Sequence, residues 1–220
     1  MKIKTLADRK NHIFLLMEYA VPPEHLTLAR VVINRYETDI VALNLFEAFY
    51  SYLPEAQDDA ISKIILLQKK QGHYLLYVST LQSNYIYIVS AENAEFLGKA
   101  SEGIWDENIL DFYGYAGHDA FLKAISDLDQ YNEYQPAILD KNNCPVCTVS
   151  AGEPHVFGCP VEICPWCGGQ MVGCNCRFNR LGIDAFRTEE QVEELMEKLE
   201  AIGRVPYDPV RHRPSFLEEK

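Results

Sequence analysis

All seven cysteines of this 220-residue chain lie between positions 144 and 176, together with one histidine. In chain order they are Cys144 and Cys147, His155, Cys159, Cys164 and Cys167, then Cys174 and Cys176. Zn²⁺ in a structural site takes four Cys or His donors, so seven thiolates and one imidazole satisfy two ions with nothing left over. The segment is therefore read as a metal-stapled module holding two structural zinc ions. A closed four-donor shell leaves no open position for a substrate, so these metals perform no chemistry.

The spacing supports that reading. Cys-Pro-x-Cys occurs twice, at 144–147 and at 164–167, the second copy followed by Gly168 and Gly169. Two residues between cysteines let both sulfurs approach one ion while backbone amides of the turn point toward the thiolates. Proline presets such a turn and glycine relieves its end. These short turns resemble the knuckles of zinc ribbons and rubredoxins. Two assignments of ligands compete. In the sequential one, Cys144, Cys147, His155 and Cys159 hold one ion while Cys164, Cys167, Cys174 and Cys176 hold the other. In the interleaved one, the two Cys-Pro-x-Cys knuckles share an ion at a recognised zinc spacing, leaving His155, Cys159, Cys174 and Cys176 for the second. Shorter closures favour the sequential form, but doubling a loop costs only about 0.6 kcal/mol.

Other uses of these residues fit less well. Disulfides would leave one cysteine unpaired and need an oxidising compartment. An active redox pair at Cys164 and Cys167 shares its form with thiol oxidoreductases, but their βαβ context is missing. Iron is chemically allowed at an all-cysteine site; zinc is the default. His12, His25, His73, His118 and His212 lie outside the cluster and receive no role. Glu162 stands two residues before Cys164, where it can accept a hydrogen bond near the metal shell or face solvent.

The formal charge is −12, and most of the excess lies in residues 1–140, with 11 Lys/Arg against 20 Asp/Glu. Residues 141–180 carry a surplus of one positive charge, which seven thiolates and two dications convert into a deficit of two. Phosphate backbones demand surplus Lys/Arg, and this segment offers only Lys141, Arg177 and Arg180, so nucleic acid is not the expected partner. The apolar run Ile13–Met17 is interrupted by Glu18, too soon for an export signal. No stretch approaches the roughly 20 apolar residues that cross a bilayer. A cytoplasmic location is expected, where clustered thiols bind metal more often than they form disulfides.

The rest of the chain predicts an α+β protein. Ala29, Val32, Ile33 and Tyr36 recur at helical spacing; Ile40 to Leu53 is apolar nearly all round, as in a core helix; and Ala60, Ile61, Ile64 and Leu67 mark a third helix stopped near Gly72. Tyr74–Thr80 and Tyr85–Ser90, rich in aromatic and β-branched residues, read as a hairpin around Gln82, Ser83 and Asn84. Residues 103–115 combine glycines with large aromatics and read as a long ordered loop or a broken helix. Phe121, Ala124, Ile125 and Leu128 restore helical spacing to about Gln130. Glu133 to Asn143, with Pro136, make the best boundary. The division is an acidic α+β body over 1–135, a zinc-binding module over 141–180, and a C-terminal helix over 188–203 that packs on one or the other. Thr188 to Gln191 has the form of a capping box, and Val192, Leu195, Met196, Leu199 and Ile202 share one face before Gly203. The segment from Tyr207 onward reads as a tail that lies against the body or frays.

The run from Cys144-Pro-Val-Cys147 through Glu153-Pro-His155, Cys159 and Glu162-Ile-Cys-Pro-Trp-Cys-Gly-Gly-Gln170 to Cys174-Asn-Cys176 is similar to a C-terminal signature of uncharacterised bacterial proteins. That resemblance implies a bacterial source, zinc bound by the cysteines and histidine, and no established activity. Thr148 stands where glycine commonly follows the second cysteine, which bears on the tightness of that turn and not on ligation.

Three functions follow as expectations. The first is a zinc-stabilised binding protein whose partner is another protein, with Trp166 at a knuckle tip either exposed as a contact residue or packed on the last helix. The second is an enzyme in the body, with Trp105, Asp106, Glu107 and Tyr113 around a pocket. The third, a nucleic-acid-binding zinc protein, is disfavoured by charge. No nucleotide-binding, zincin or nucleophile-elbow motif occurs. The carboxylate pairs Asp58/Asp59 and Asp106/Glu107 read as turns or caps.

Overall fold

Tyr74, Leu76 and Val78 alternate with Leu75 and Tyr77 along one strand, and all five are buried, so this strand is covered on both faces. The computed structural model describes residues 5–52 and 58–212, and the chain divides into two compact units, Met1–Asp140 and Lys141–Lys220. The protein is α+β: a helical body with a small antiparallel sheet, then the cysteine-rich region and a C-terminal helix.

In the first unit the sheet is a four-stranded meander, β1 (Ile61–Lys70), β2 (His73–Thr80), β3 (Asn84–Val89) and β4 (Ala94–Lys99), in sequential order. Helices α1 (Leu6–Ala20), α2 (Leu26–Arg35) and α3 (Ile40–Ser51) cover one face, where Ile13, Met17, Ile33, Phe46 and Phe49 meet Tyr74, Leu76, Tyr85 and Tyr87. Helices α4 (Glu107–Tyr113) and α5 (His118–Ile125) cover the other, where Leu110, Tyr113, Phe121 and Ile125 meet Ile65, Leu75, Tyr77 and Ile86. The sheet is thus the middle of three layers.

Two buried aspartates fasten this unit. Asp39 caps α3 by accepting from the Val41 and Ala42 amides at 2.8 and 3.3 Å, and also accepts from the Tyr134 hydroxyl at 2.8 Å and the Ala137 amide at 2.7 Å. Asp59 accepts from the Ala60, Leu81 and Gln82 amides and from the Thr80 hydroxyl. The exposed side of β1 is taken up by residues 132–134, whose backbone bonds to Ile64 and Leu66 at 2.9 and 3.0 Å. That contact blunts an open sheet edge.

Several expectations require correction. The helix expected over Ala60 to Leu67 is strand β1. A bulge between Ile61 and Lys63 puts Ile61 and Ile64 on one face three residues apart, which imitates helical spacing. Strand β4 and helix α1 carried no sequence expectation; Thr5 and Asp8 form a capping box at the start of α1. Helix α5 ends at Ile125, and a separate 3₁₀ turn covers Leu128–Gln130. Leu53, expected at the end of the core helix, lies outside the described residues, as does the tail beyond His212.

The 103–115 segment is a short helix between loops. Asp106 caps α4 through the Asn108 amide at 2.9 Å, and Gly114 ends it at φ 80°. Ile104 and Tyr113 are buried, and Phe112 against Tyr113 and Tyr115 against Phe121 make edge-on ring contacts at 4.9 and 5.1 Å. Trp105 is exposed and stacks on the His118 ring at 3.8 Å.

Among the described residues no helix is long and apolar enough to cross a membrane.

Candidate metal centres

The second unit is built on one local motif used twice. In the first copy the Thr148 amide donates to the Cys144 carbonyl at 3.0 Å, the Cys144 amide to Val149 at 2.8 Å, and the Ala151 amide to Asn142 at 2.8 Å. Twenty residues on, the same three bonds recur. The Gly168 amide donates to Cys164 at 2.9 Å, Cys164 to Gly169 at 2.7 Å, and Met171 to Glu162 at 2.8 Å. Isolated bridges Asn143–Ser150 and Ile163–Gln170 close each loop in the same register. The turn needs a left-handed residue after its second cysteine. Gly168 supplies it at φ 74°, and Thr148 adopts it at φ 60° despite its branched Cβ. Threonine there leaves the turn as tight as its glycine counterpart, although a left-handed conformation costs a side-chain-bearing residue about 1–2 kcal/mol.

The eight expected donors fall into two groups, and the grouping is sequential. Cys144, Cys147, His155 and Cys159 form one, and Cys164, Cys167, Cys174 and Cys176 the other, with all ligand atoms of each group within 4.8 Å of one another. Cys144 and Cys159 sulfurs stand 3.9 Å apart, and His155 Nδ1 lies 3.3 Å from the Cys147 sulfur. A tetrahedron with Zn–S bonds of about 2.3 Å has sulfur–sulfur edges of about 3.8 Å, and with Zn–N of about 2.0 Å a mixed edge of about 3.5 Å. A disulfide would bring the sulfurs to about 2.05 Å. All seven cysteines are free thiols. The donor chemistry fits a metal ion in each group, and in the first the two edges fit as well.

Backbone amides bond to the sulfurs, as the knuckle form requires: Cys147 to the Cys144 sulfur, Trp166 and Cys167 to the Cys164 sulfur, Gly169 to the Cys167 sulfur. Hydrogen bonds from the Cys147 and Cys159 thiols hold the Cys144 thiol far below its ordinary range. Burial lowers the His155 imidazole, but its hydrogen bonds to Cys144 and Cys147 outweigh that and push it up to about 9. Donors crowded this closely share protons that a dication would displace.

The two groups differ in cover. Cys144, Cys147, His155 and Cys159 are 1, 6, 2 and 5% exposed, under Val149, Val161 and Tyr207. In the other group Cys164 is fully buried, Cys174 and Cys176 are half-buried, and Cys167 is exposed. Cys176 opens helix α6 (Cys176–Leu181), and helix α7 (Glu189–Ile202) lays Leu195 and Leu199 against Cys164 and Met171. The capping box at Thr188 and Gln191 is formed, and Gly203 ends the helix with φ 87°. Trp166 is partly buried and packs against the cluster that Cys164 and Met171 form with Leu195 and Leu199, with the Arg180 guanidinium 5.5 Å from its ring centre.

Tyr207, His212 and Arg204 had no expectation at the first group, while Glu162 takes the first of its two expected places, a buried hydrogen-bond acceptor. Tyr207 is buried against the His155 ring at 5.2 Å and donates to the Asn143 carbonyl at 3.3 Å, so the start of the expected tail is part of the module. His212 is buried beside both rings at 6.2 Å, with Nδ1 accepting from the Asp208 amide. Glu162 is 1% exposed and accepts from Arg204, whose guanidinium also donates to the His155 carbonyl at 2.6 Å. Burial pushes the Glu162 carboxyl up, and Arg204 opposes that shift. The signal for Arg204, Tyr207 and His212 was weak, because they stand more than 40 residues along the chain from Glu162 and His155, which they contact.

Candidate acid–base residues in the first unit serve structure. Asp59 and Asp106 spend their carboxylates on backbone amides, and Asp58 is exposed. Arg9 and His12 pair with Glu47 at 3.1 and 3.0 Å, and Arg9 also bonds to the buried Asn44, which accounts for the polar positions of α3.

Comparison with known proteins finds no matching family model, no matching curated protein and no matching solved structure.

Proposed function

We propose that this chain is a zinc-stabilised binding protein, acting in a reducing compartment such as the cytoplasm, whose two metal ions hold a module together and whose partner is another protein. The observation that carries the metal half is the sequential grouping of eight donors into two four-donor sets, each with its ligand atoms within 4.8 Å of one another. Four protein donors fill each shell, which favours a structural ion over a catalytic one. Zinc is preferred over iron as the default ion for Cys₃His and Cys₄ sets.

The binding half rests on the first unit. Leu15 and Tyr19 stand one turn apart on α1, and Leu28 and Val31 one turn apart on α2, and all four are exposed. The Arg30–Glu18 pair at 3.1 Å ties these helices together. Contiguous exposed apolar side chains rimmed by charge suit a protein contact. Phe112, Tyr113 and Tyr115 are spent on packing, and Trp105 lies exposed over His118, so these rings do not converge on a catalytic pocket.

Metal analysis of reduced, purified protein is expected to give two zinc ions per chain. Replacing Tyr19 and Leu28 together by serine should weaken partner capture from the native cell while leaving zinc content at two. Unchanged capture would overturn the binding half, and metal-free folded protein would overturn the metal half.

A further inference from the structure

The two sets of donors are built to the same plan but are not equally shielded, and that asymmetry has a chemical consequence. In the first set every ligand is at least nine-tenths buried, and Tyr207, His212 and the Glu162–Arg204 pair stand around it. In the second set Cys164 alone is fully buried; Cys167 is exposed, and Cys174 and Cys176 reach solvent in part. Thiolates react with peroxides in proportion to their access as well as their charge. A zinc-bound sulfur keeps thiolate character, so an exposed zinc–thiolate cage is protected by its metal only incompletely.

We propose that the Cys164, Cys167, Cys174, Cys176 centre is a peroxide-reactive site that releases its metal on oxidation, with Cys167 as the first sulfur attacked, while the Cys144, Cys147, His155, Cys159 centre keeps its ion. This rests on the reading of both sets as zinc cages. In the first step the Cys167 thiolate attacks one oxygen of hydrogen peroxide, the O–O bond breaks, and hydroxide leaves, giving a sulfenic acid. A second thiolate of the same set, held within 4.8 Å, then attacks that sulfur. The S–S bond forms, and the sulfenic oxygen leaves as a second hydroxide. Two sulfurs have together lost two electrons and the peroxide oxygens have gained them; the two hydroxides take up two protons from the buffer and become two waters. The zinc ion has lost two of its four donors and dissociates as Zn²⁺. Thiol reductant and free zinc restore the cage.

The second unit is suited to report this change. Leu195 and Leu199 of α7 and the ring of Trp166 pack on Cys164 and Met171, so opening the cage removes the support under the last helix.

The test uses the full chain in its reduced, zinc-loaded form. Zinc is counted first; fewer than two ions per chain overturns the cage reading itself, before any oxidant is added. With two ions present, a few equivalents of hydrogen peroxide are added, released zinc is followed with a chromophoric chelator, and oxidised cysteines are located by differential alkylation and mass spectrometry. The expected result is loss of one zinc ion and two thiols per chain, with the oxidised positions among Cys164, Cys167, Cys174 and Cys176 and with Cys144, Cys147 and Cys159 still reduced. Release of both ions together, earlier oxidation at Cys144, Cys147 or Cys159, or retention of both ions overturns the inference while leaving the cage reading intact.

Discussion

The two units solve the same stability problem by different means. The first sets a sheet between two helical layers, with Phe46, Phe49, Tyr87 and Tyr134 buried on one side and Phe121 with its neighbours on the other. The second assembles small apolar clusters in which the cysteines themselves are core residues, Cys144, Cys147 and Cys159 in one and Cys164 in another. Apolar burial contributes in proportion to area, so a segment of this size gains little from it, whereas a structural zinc site contributes about 10–16 kcal/mol of folding free energy. On the zinc reading proposed above, one unit is held by apolar burial and the other by metal, and each should fail under its own insult.

Metal removal is the sharpest way to break the comparison. Chelation under reducing conditions is expected to unfold the second unit and leave the first folded; hydrogen exchange would then show protection in β1–β3 and none around residues 144–176. Loss of protection in both units would refute the contrast. The converse experiment is Phe46→Ala, which empties a fully buried site and should cost the first unit roughly 4 kcal/mol. Denaturant melting of that unit measures the cost, while zinc content stays at two.

A somewhat smaller effect is expected from Arg204→Ala, which strands the buried Glu162 carboxylate and removes a donor from the His155 carbonyl. A loss of about 3 kcal/mol in the second unit follows from an uncompensated buried charge. The double variant Glu162→Gln with Arg204→Met should recover much of it, and failure to recover would show that the His155 carbonyl contact matters more than the ion pair. The smallest effect is Gly168→Ala. No atom lies within 4 Å of the added Cβ, so only the left-handed backbone at φ 74° opposes it, and about 1 kcal/mol is expected. A thermal melt that leaves the second unit unmoved would mean that this turn tolerates side chains freely, as Thr148 already does in its twin.

The set of clustered donors was legible because cysteine spacing reports donor chemistry directly, without passing through tertiary structure. Its partition was not, since the interleaved and sequential closures differ by less than the energy of one hydrogen bond. What separates them is the placement of His155 and Cys159 beside the first knuckle and of Cys174 and Cys176 beside the second, which is tertiary structure. In the first unit α2, α3 and the β2–β3 hairpin follow their periodicities, while β1 misleads because its bulge converts a two-residue period into a three-residue one. Strand β4 hides behind Glu95, Gly98 and Lys99, residues an edge strand tolerates and a central strand does not. Tyr207, His212 and Arg204 could not be linked to the metal from sequence, because their role is contact at a distance along the chain.

The twenty-residue offset between the two knuckles also bears on the order in which the molecule comes into being. Each set of donors closes inside its own stretch, from Cys144 to Cys159 and from Cys164 to Cys176. On the proposed zinc reading, the earlier ion would be captured while the later stretch is still within the ribosome. Yet Tyr207 and His212, which shut that first cage off from water, are synthesised after everything else in it. The centre that ends up best sealed begins its life uncovered.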